Sequence, residues 1–432
     1  MEKSIYQLPL KVLRSYLFYK RSQFWSKDAL VQYQNDKLIS LVKYVGMHVP
    51  YYRKLFKEIG FDVQAFRGIC DMAKIPLLDK EMVRTHKDEF LSDEADKMNV
   101  TWDSTSGSTG TPLHFALSDD IMAHKIAGLL RSFGWAGYRL RCRTLMVQSY
   151  YFTKGDFQYN ALYNVIRYDS NRLCKKSALR LVDELIKKPV KIIIGFPFDI
   201  LMIGRYANEA GKEIPSPKAI ITYGEKLSLE KRELLVKYYG CEIYDYHSMH
   251  ECSAMISQCE KGNLHLMEDF SYMEIVDETG NLSQGKGLLV GTSYYNYVMP
   301  LIRYNTRDAV MPSKRECACG RNFIIVDEIF GKECDAIITP DGRILGAVMS
   351  HSVDQATGVV TSQCVQDRKD HLLMRIIVDE SYNENSQKAL EAGLRKRIGN
   401  EMKIDFRIVK SLEKTKGGKT PFIISKIKEE HL

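Results

Sequence analysis

No stretch of this chain approaches the roughly 20 consecutive apolar residues that a bilayer-spanning helix needs, so no membrane span is expected. No secretory leader is read at the N-terminus. The ten cysteines (Cys70, Cys142, Cys174, Cys241, Cys252, Cys259, Cys317, Cys319, Cys334 and Cys364) are scattered rather than arranged as a disulfide framework. Both features point to a reducing, cytoplasmic compartment. No basic stripe accompanies the excess of 62 Lys and Arg over 54 Asp and Glu, so the net charge of +8 suits an anionic small ligand or surface better than a nucleic acid. Internal repeats and low-complexity tracts are also missing, which leaves an ordinary globular protein. At 432 residues, 45% hydrophobic and 27% charged, it can bury a large core in two or three domains.

One loop stands out from this background: Thr105-Ser106-Gly107-Ser108-Thr109-Gly110-Thr111-Pro112, set between Trp102 and Leu113-His114-Phe115. Seven of its eight residues are Ser, Thr or Gly, offering hydroxyls and backbone N–H groups with little bulk. Glycines let such a chain wrap closely around a polyphosphate, and successive amides form an anion-binding concavity. The loop lacks the Gly-Lys-Ser/Thr ending of a Walker A motif. Read alone, it could also be a flexible Ser/Gly linker.

Residues 1–100 read as mostly helical. Leu8 to Trp25 mixes Leu, Tyr and Phe with Lys11, Arg14, Lys20 and Arg21. Such an amphipathic helix either packs on the rest of the protein or lies peripherally on an anionic membrane surface. Asp79-Lys80-Glu81 reads as an N-cap and first turn, Leu113 to Ala116 as a strand, and Asp119 to Phe133 as a helix.

The middle of the chain carries the clearest fold signal. Apolar strands at Val190–Ile194, Ala219–Tyr223 and Glu242–Tyr246 alternate with helices ending near Ala207 and spanning Ser228 to Gly240. Strand, helix, strand at this spacing predicts right-handed crossovers and a mostly parallel sheet, with ligands beyond the carboxyl ends of the strands. Those ends read Gly195-Phe196-Pro197, Gly224-Glu225 and His247-Ser248-Met249-His250-Glu251. From Glu268 the pattern changes to short strands and turns, and Pro300 to Asp308 is expected to run into a loop. Strands near 372–378 and 404–409 around a helix near 387–398 predict a compact α+β unit. The expected organisation is therefore α/β, with a large domain over 1–331 and a small mobile α+β domain over 332–432.

Four pieces fall in order along the chain: Thr105 to Pro112, a strand-end Glu251, Tyr304-x-Thr306-x-Asp308, and a Gly418-Lys419 loop. With Val49-Pro50-Tyr51-Tyr52, Ile75-Pro76-Leu77-Leu78-Asp79-Lys80, Gly195-Phe196-Pro197 and Cys317-x-Cys319-Gly320-Arg321, they resemble the adenylate-forming ligase superfamily over nearly the whole chain. More narrowly, the chain is similar to the phenylacetate–CoA ligase-like family, in its branch associated with capsular polysaccharide gene products. The resemblance implies that Thr105, Ser106, Gly107, Ser108, Thr109 and Gly110 hold the β- and γ-phosphates of ATP and that Glu251 helps bind Mg²⁺. It implies that Asp308 accepts from the ribose hydroxyls, that Gly224 and Glu225 line the adenine end, and that Lys419 reaches the α-phosphate and the substrate carboxylate. Lys416 lies three residues away, and only the position after glycine favours Lys419.

The chain also departs from the family pattern. Tyr246 precedes the glutamate by five residues rather than four, which leaves Tyr246 and His247 both open as the adenine-stacking residue. The hinge region reads Gly331-Lys332-Glu333-Cys334-Asp335, so a lysine stands where the family has an arginine.

Cys259-x₅-His265 with Cys317-Ala318-Cys319 is a second constellation, either two unrelated cysteine pairs or a structural Zn²⁺ site. Four protein ligands would leave no open position for catalysis. The implied reaction is ATP-dependent activation of a carboxylic acid as acyl-AMP, followed by transfer to a second nucleophile. The polar run His247 to His250 favours a hydrophilic acid and an amine acceptor, giving an amide in surface polysaccharide assembly. The alternatives are an aryl-acid–CoA ligase, with CoA as co-substrate, and a nucleotide-binding module without catalysis.

Overall fold

The computed structural model describes residues 9–104, 113–148, 150, 152–332, 337–340, 344–345, 356–414 and 420–427. The chain forms two compact units, one of residues 1–138 and 246–329, the other of residues 139–245 and 330–432.

The first unit opens with helices α1 (Pro9–Ser22), α2 (Lys27–His48), α3 (Pro50–Glu58), α4 (Lys80–Thr85) and, further on, α5 (Asp119–Trp135). Their starts are chemically marked. Ser26 accepts from the Ala29 N–H, Asp79 from those of Glu81 and Met82, and Ser118 from that of Ile121, each satisfying amides that a first turn leaves unpaired. Pro50 opens α3, where a missing N–H costs nothing. α1 packs on α5 through Ser15, Tyr19 and Ser22. Beneath it the fully buried Arg131 of α5 donates to both oxygens of Asp269, with Ser22 also on that carboxylate and the Tyr19 ring 4.7 Å from the guanidinium. A buried charge of this kind is tolerable because the Asp269 carboxylate opposes it, even though Arg131 Nε has no hydrogen-bond partner among the described residues.

The strands of this unit pair antiparallel. Val100–Ser104 pairs with His114–Ser118, flanking the Ser/Gly loop. Ser271–Val276, Gly287–Ser293 and Tyr304–Pro312 form successive neighbours, and Leu264–Leu266 pairs with Met255–Gln258. Two expectations are corrected here. Asp308 lies in the middle of a nine-residue strand, not at the mouth of a loop, and the strand from Glu242 continues to Ser248 rather than ending at Tyr246. In Tyr304–Pro312 the buried face carries Tyr304, Thr306 and Asp308, so its period of two is real but not apolar.

In the second unit the strands Val165–Asp169, Thr144–Gln148, Ile192–Gly195 and Ala219–Tyr223 pair parallel in that order, with Phe157–Asn160 antiparallel at the edge. The crossovers are α6 (Lys175–Lys187), α7 (Pro197–Glu209) and α8 (Leu229–Tyr239). Ser228 caps α8 and Gly240 ends it at φ +60°, as expected from the sequence. Gly195 is required sterically, since a Cβ there would lie 2.3 Å from the Val147 carbonyl oxygen. The expected parallel pairing thus holds for the four strands Val165–Asp169, Thr144–Gln148, Ile192–Gly195 and Ala219–Tyr223, while the antiparallel edge strand and the antiparallel pairs of the first unit make the α/β fold mixed.

Residues 356–427 add a four-stranded sheet in the order Lys403–Ile408, His371–Val378, Val359–Arg368, Ile423–Ser425. Helix α9 (Glu384–Ile398) covers it through Leu390, Leu394 and Ile398 on Leu372, Met374 and Ile376. The strand Val359–Arg368 is absent from the sequence reading. Its buried positions include Thr361, Ser362, Gln363 and Gln366, which disguise a core strand.

Candidate functional site

Alternation along Glu242–Ser248 sends Tyr246 and His247 to opposite faces. Tyr246 is buried edge-on against Phe133, with ring centroids 5.7 Å apart. His247 instead places Nε2 3.1 Å from Oδ2 of Asp308. Asp308 is 2% exposed, and its N–H donates to Oγ1 of Thr306, which in turn donates to the Leu289 carbonyl. The pair open in the sequence is therefore divided in space: an imidazole beside Asp308 and a phenol in the core.

Glu251 is also buried, and its Oε2 has no hydrogen-bond partner among the described residues. The Tyr304 hydroxyl meets the same carboxylate, and burial followed by the Glu251 charge drives the Tyr304 pKa upward. Tyr304 lies on the same buried face of its strand as Asp308; the Tyr-x-Thr-x-Asp motif contained it, but its contact with Glu251 was not drawn from the sequence. A carboxylate oxygen buried without a donor is costly unless a cation or donor completes it, so the position fits Mg²⁺ chemically. Backbone strain gathers at both acids. Cys252, after Glu251, has φ +61°, and Arg307, before Asp308, has φ +63°, values that non-glycine residues adopt rarely and mostly at functional sites. Around the run to Glu251, the Asp103 carboxylate lies 3.9 Å from His250 Nδ1, and Lys125 donates to the His250 carbonyl at 3.1 Å.

The four candidate zinc ligands meet in the first unit. The ligand atoms of Cys259, His265, Cys317 and Cys319 all lie within 4.8 Å of one another. Cys259 and Cys317 sulfurs are 3.6 Å apart and Cys319 Sγ is 3.5 Å from His265 Nε2. A tetrahedron with Zn–S arms of 2.3 Å has edges of about 3.8 Å, so the spacing fits one ion and is far too long for a disulfide. His265 Nδ1 lies 3.4 Å from the Phe323 carbonyl, which fixes the ring and turns Nε2 toward the sulfurs. Burial lowers the His265 pKa to about 4, keeping the imidazole neutral and able to ligate. Gly262 (φ +82°) and Gly320 (φ +78°) supply the tight turns after Cys259 and Cys319. Asn263 Nδ2 donates to Cys317 Sγ at 3.1 Å and the Lys261 N–H to Cys259 Sγ at 3.4 Å.

In the second unit, Gly224 turns the chain at φ +80° directly after the strand Ala219–Tyr223. Glu225 accepts from the N–H of Thr420, the residue that follows Lys419, and its second oxygen lies 3.4 Å from the Phe198 N–H. Burial raises the Glu225 carboxyl to about 7. Lys414 donates to Asp199 at 2.6 Å and to the Ser170 carbonyl at 3.2 Å. Asp199 is 1% exposed, and burial raises its pKa despite the lysine. Lys414 and Thr420 are thus both tied to the strand-end region of the parallel sheet. Sequence reasoning passed over Asp199, Lys414 and Thr420; a lysine between two turn-prone stretches offered no signal that a distant aspartate awaited it.

Thr105, Ser106, Gly107, Ser108, Thr109 and Gly110, with Lys416 and Lys419, lie outside the described residues. Lys332 ends the strand Ile325–Lys332.

Residues 337–426 match the CapK C-terminal domain family. The chain is 26% identical over 333 residues to the phenylacetate-coenzyme A ligase of Thermus thermophilus, covering 72% of each, and 26% identical over 301 residues to that of Pseudomonas putida, covering 66% of each. Its fold is similar to that of 2-hydroxyisobutyryl-CoA ligase in the postadenylation state, with a TM-score of 0.76 at 18% identity over 95% of this chain and 92% of that one. The amide bond synthetase McbA of Marinactinospora thermotolerans gives a TM-score of 0.52 at 12% identity, over 74% of this chain and 66% of that one. Taken with the α/β architecture and the ordered motifs, these matches give the chain the fold of adenylate-forming ligases and a sequence similar to phenylacetate-coenzyme A ligases, and they support an ATP-dependent, AMP-forming ligase.

Proposed function

We propose that the chain activates a hydrophilic carboxylic acid and passes its acyl group to an amine, within surface polysaccharide assembly. In the first half-reaction a carboxylate oxygen attacks the α-phosphorus of ATP, the bond to the β-phosphate oxygen breaks, and pyrophosphate leaves. In the second, the amine nitrogen attacks the acyl carbon, the bond to AMP breaks, and the nitrogen sheds a proton to solvent. Both halves build negative charge that fixed donors must absorb. The observation that carries the reading is the buried Glu251 carboxylate, joined to Tyr304 and left with an unpartnered oxygen, on the run that also holds His247, the partner of Asp308.

In this reading Asp308 accepts from the ribose hydroxyls, a task suited to a carboxylate that only accepts. His247, and not Tyr246, stacks on adenine, because Tyr246 is committed to the core. Gly224 and Glu225 line the adenine end, and Thr105 to Gly110 hold the outer phosphates. Mg²⁺ held by Glu251 supplies charge neutralisation at those phosphates. Lys419 reaches the α-phosphate, and the tie between Thr420 and Glu225 supports its delivery there. Residues 332–432 serve as the lid, with Lys332 at the hinge. Asp103, Lys125 and His250 beside Glu251 support a hydrophilic acid over an aryl one. Structural Zn²⁺ on Cys259, His265, Cys317 and Cys319 is part of the same reading, as is a cytoplasmic setting where ATP is supplied.

The sequence relatives named as phenylacetate-coenzyme A ligases favour a second reading, in which the acceptor is the CoA thiol. Pyrophosphate exchange across a panel of acids tests adenylation; a complete absence of exchange leaves only a nucleotide-binding module. Incubating the productive acid with CoA or with amines then separates thioester from amide.

A further inference from the structure

Helix α1 presents an apolar stripe to solvent. Leu10, Leu13 and Leu17 are 75%, 52% and 50% exposed, and Phe24 just beyond the helix is 54% exposed. At 3.6 residues per turn the three leucines share an arc of about 60°. Ser15, Tyr19 and Ser22, which face the core, lie roughly opposite. The helix is thus amphipathic in the unexpected sense: its small and hydrogen-bonding residues are buried and its leucines are not.

Basic residues frame the stripe. Lys20 borders it on one side, Arg14 and Arg21 on the other, and the helix holds no acidic residue. Lys11 is turned away and pairs with Asp120. Among the described residues, Arg14, Lys20 and Arg21 enter no ion pair. Arg14, Leu17, Phe18, Arg21 and Trp25 line a recess of about 380 Å³, a volume that accommodates a phosphate head group beside arginine and aromatic side chains.

We propose that this face of α1 is a docking surface for an anionic phospholipid bilayer, the leucines and Phe24 entering the head-group boundary while Arg14, Lys20 and Arg21 meet lipid phosphates. Charge complementarity selects this occupant. A second copy would bring two sets of uncompensated cations together, whereas a negatively charged leaflet attracts them. The surface is distinct from the residues assigned to ATP, so attachment and adenylation are separable.

Flotation of the full-length protein with vesicles of phosphatidylcholine, with and without phosphatidylglycerol, tests this. Binding is expected only with phosphatidylglycerol and should weaken with salt. Each arginine near an anionic surface is worth about five-fold in partitioning, so Arg14→Ser with Arg21→Ser should weaken binding on the order of 20-fold. Leu13→Ser with Leu17→Ser should weaken it at least as much, and both pairs should keep the wild-type melting temperature and pyrophosphate exchange. The proposal is overturned if the protein ignores phosphatidylglycerol vesicles or if both double variants bind like wild type. It is equally overturned if light scattering gives twice the chain mass and Leu13→Ser with Leu17→Ser restores the monomer, making the stripe a self-association face.

Discussion

Replacing Glu251 by glutamine separates its proposed catalytic role from a structural one. The substitution keeps shape and an acceptor for the Tyr304 hydroxyl but removes the negative charge. Loss of one electrostatic contact to a developing charge typically lowers kcat by about 10²–10³, or about 2.7–4 kcal/mol. Stability should move the other way or not at all. A buried polar atom without a partner costs about 1–3 kcal/mol and more when charged, so Oε2 is a liability in the nucleotide-free protein. A neutral amide relieves part of that cost, and each kcal/mol shifts a unit of this size by about 2–4 °C. Acid-dependent pyrophosphate exchange, titrated with Mg²⁺, and thermal unfolding without ATP read the two effects on the same preparation. The expected result is a large loss of exchange, a raised Mg²⁺ requirement and a melting temperature equal to or a few degrees above wild type. Wild-type exchange in Glu251→Gln would refute the assignment. A loss of exchange that tracks a falling melting temperature would make Glu251 a structural residue instead.

Metal analysis of protein prepared with zinc should give one ion per chain, and Cys317→Ser should abolish it. At free zinc a thousand-fold above Kd the ion contributes about 4 kcal/mol, so a strong chelator should lower the melting temperature by about 8–16 °C without blocking exchange at low temperature. A chelator with no effect on melting would sink the structural role. His247→Ala should raise the KM for ATP about ten-fold with little change in melting, and Tyr246→Phe should leave that KM unchanged; a reversed pattern would return the stacking role to Tyr246. Glu268 supplies a pH test. Burial raises its carboxyl to about 7, despite hydrogen bonds from the Ile324 N–H and Gln34. The native state therefore holds this proton more tightly than the unfolded chain, so its contribution is full below about 4.5 and declines as pH rises to about 7, by about 3 kcal/mol in all. Glu268→Gln should flatten the dependence of unfolding free energy on pH over that interval, and parallel curves for the two proteins would exclude it.

Local chemistry made much of this protein legible before folding. Ser228 and Gly240 mark their helix because capping acts within one turn, and Ala219–Tyr223 declares itself by an unbroken apolar run between glycine-bearing turns. Asp308 and Glu251 were singled out as candidates by their place in ordered motifs, and Cys259, His265, Cys317 and Cys319, which the fold brings together, by ligand type. Three-dimensional neighbours decided the remainder. The period of two in Tyr304–Pro312 was hidden because its inner face is polar, satisfied by partners such as the Leu289 carbonyl. Whether Tyr246 or His247 faces Asp308 is a matter of strand phase, which a shift of one residue inverts. Lys414 and Asp199 meet across more than two hundred residues, and no local pattern encodes a pair whose energy comes from shared burial. The leucines of α1 look like core residues in the sequence; only packing against α5 through Tyr19 turned them outward. Short-range propensity and ligand chemistry are written in the chain, while facing, burial and pairing exist only once distant segments exclude water from one another.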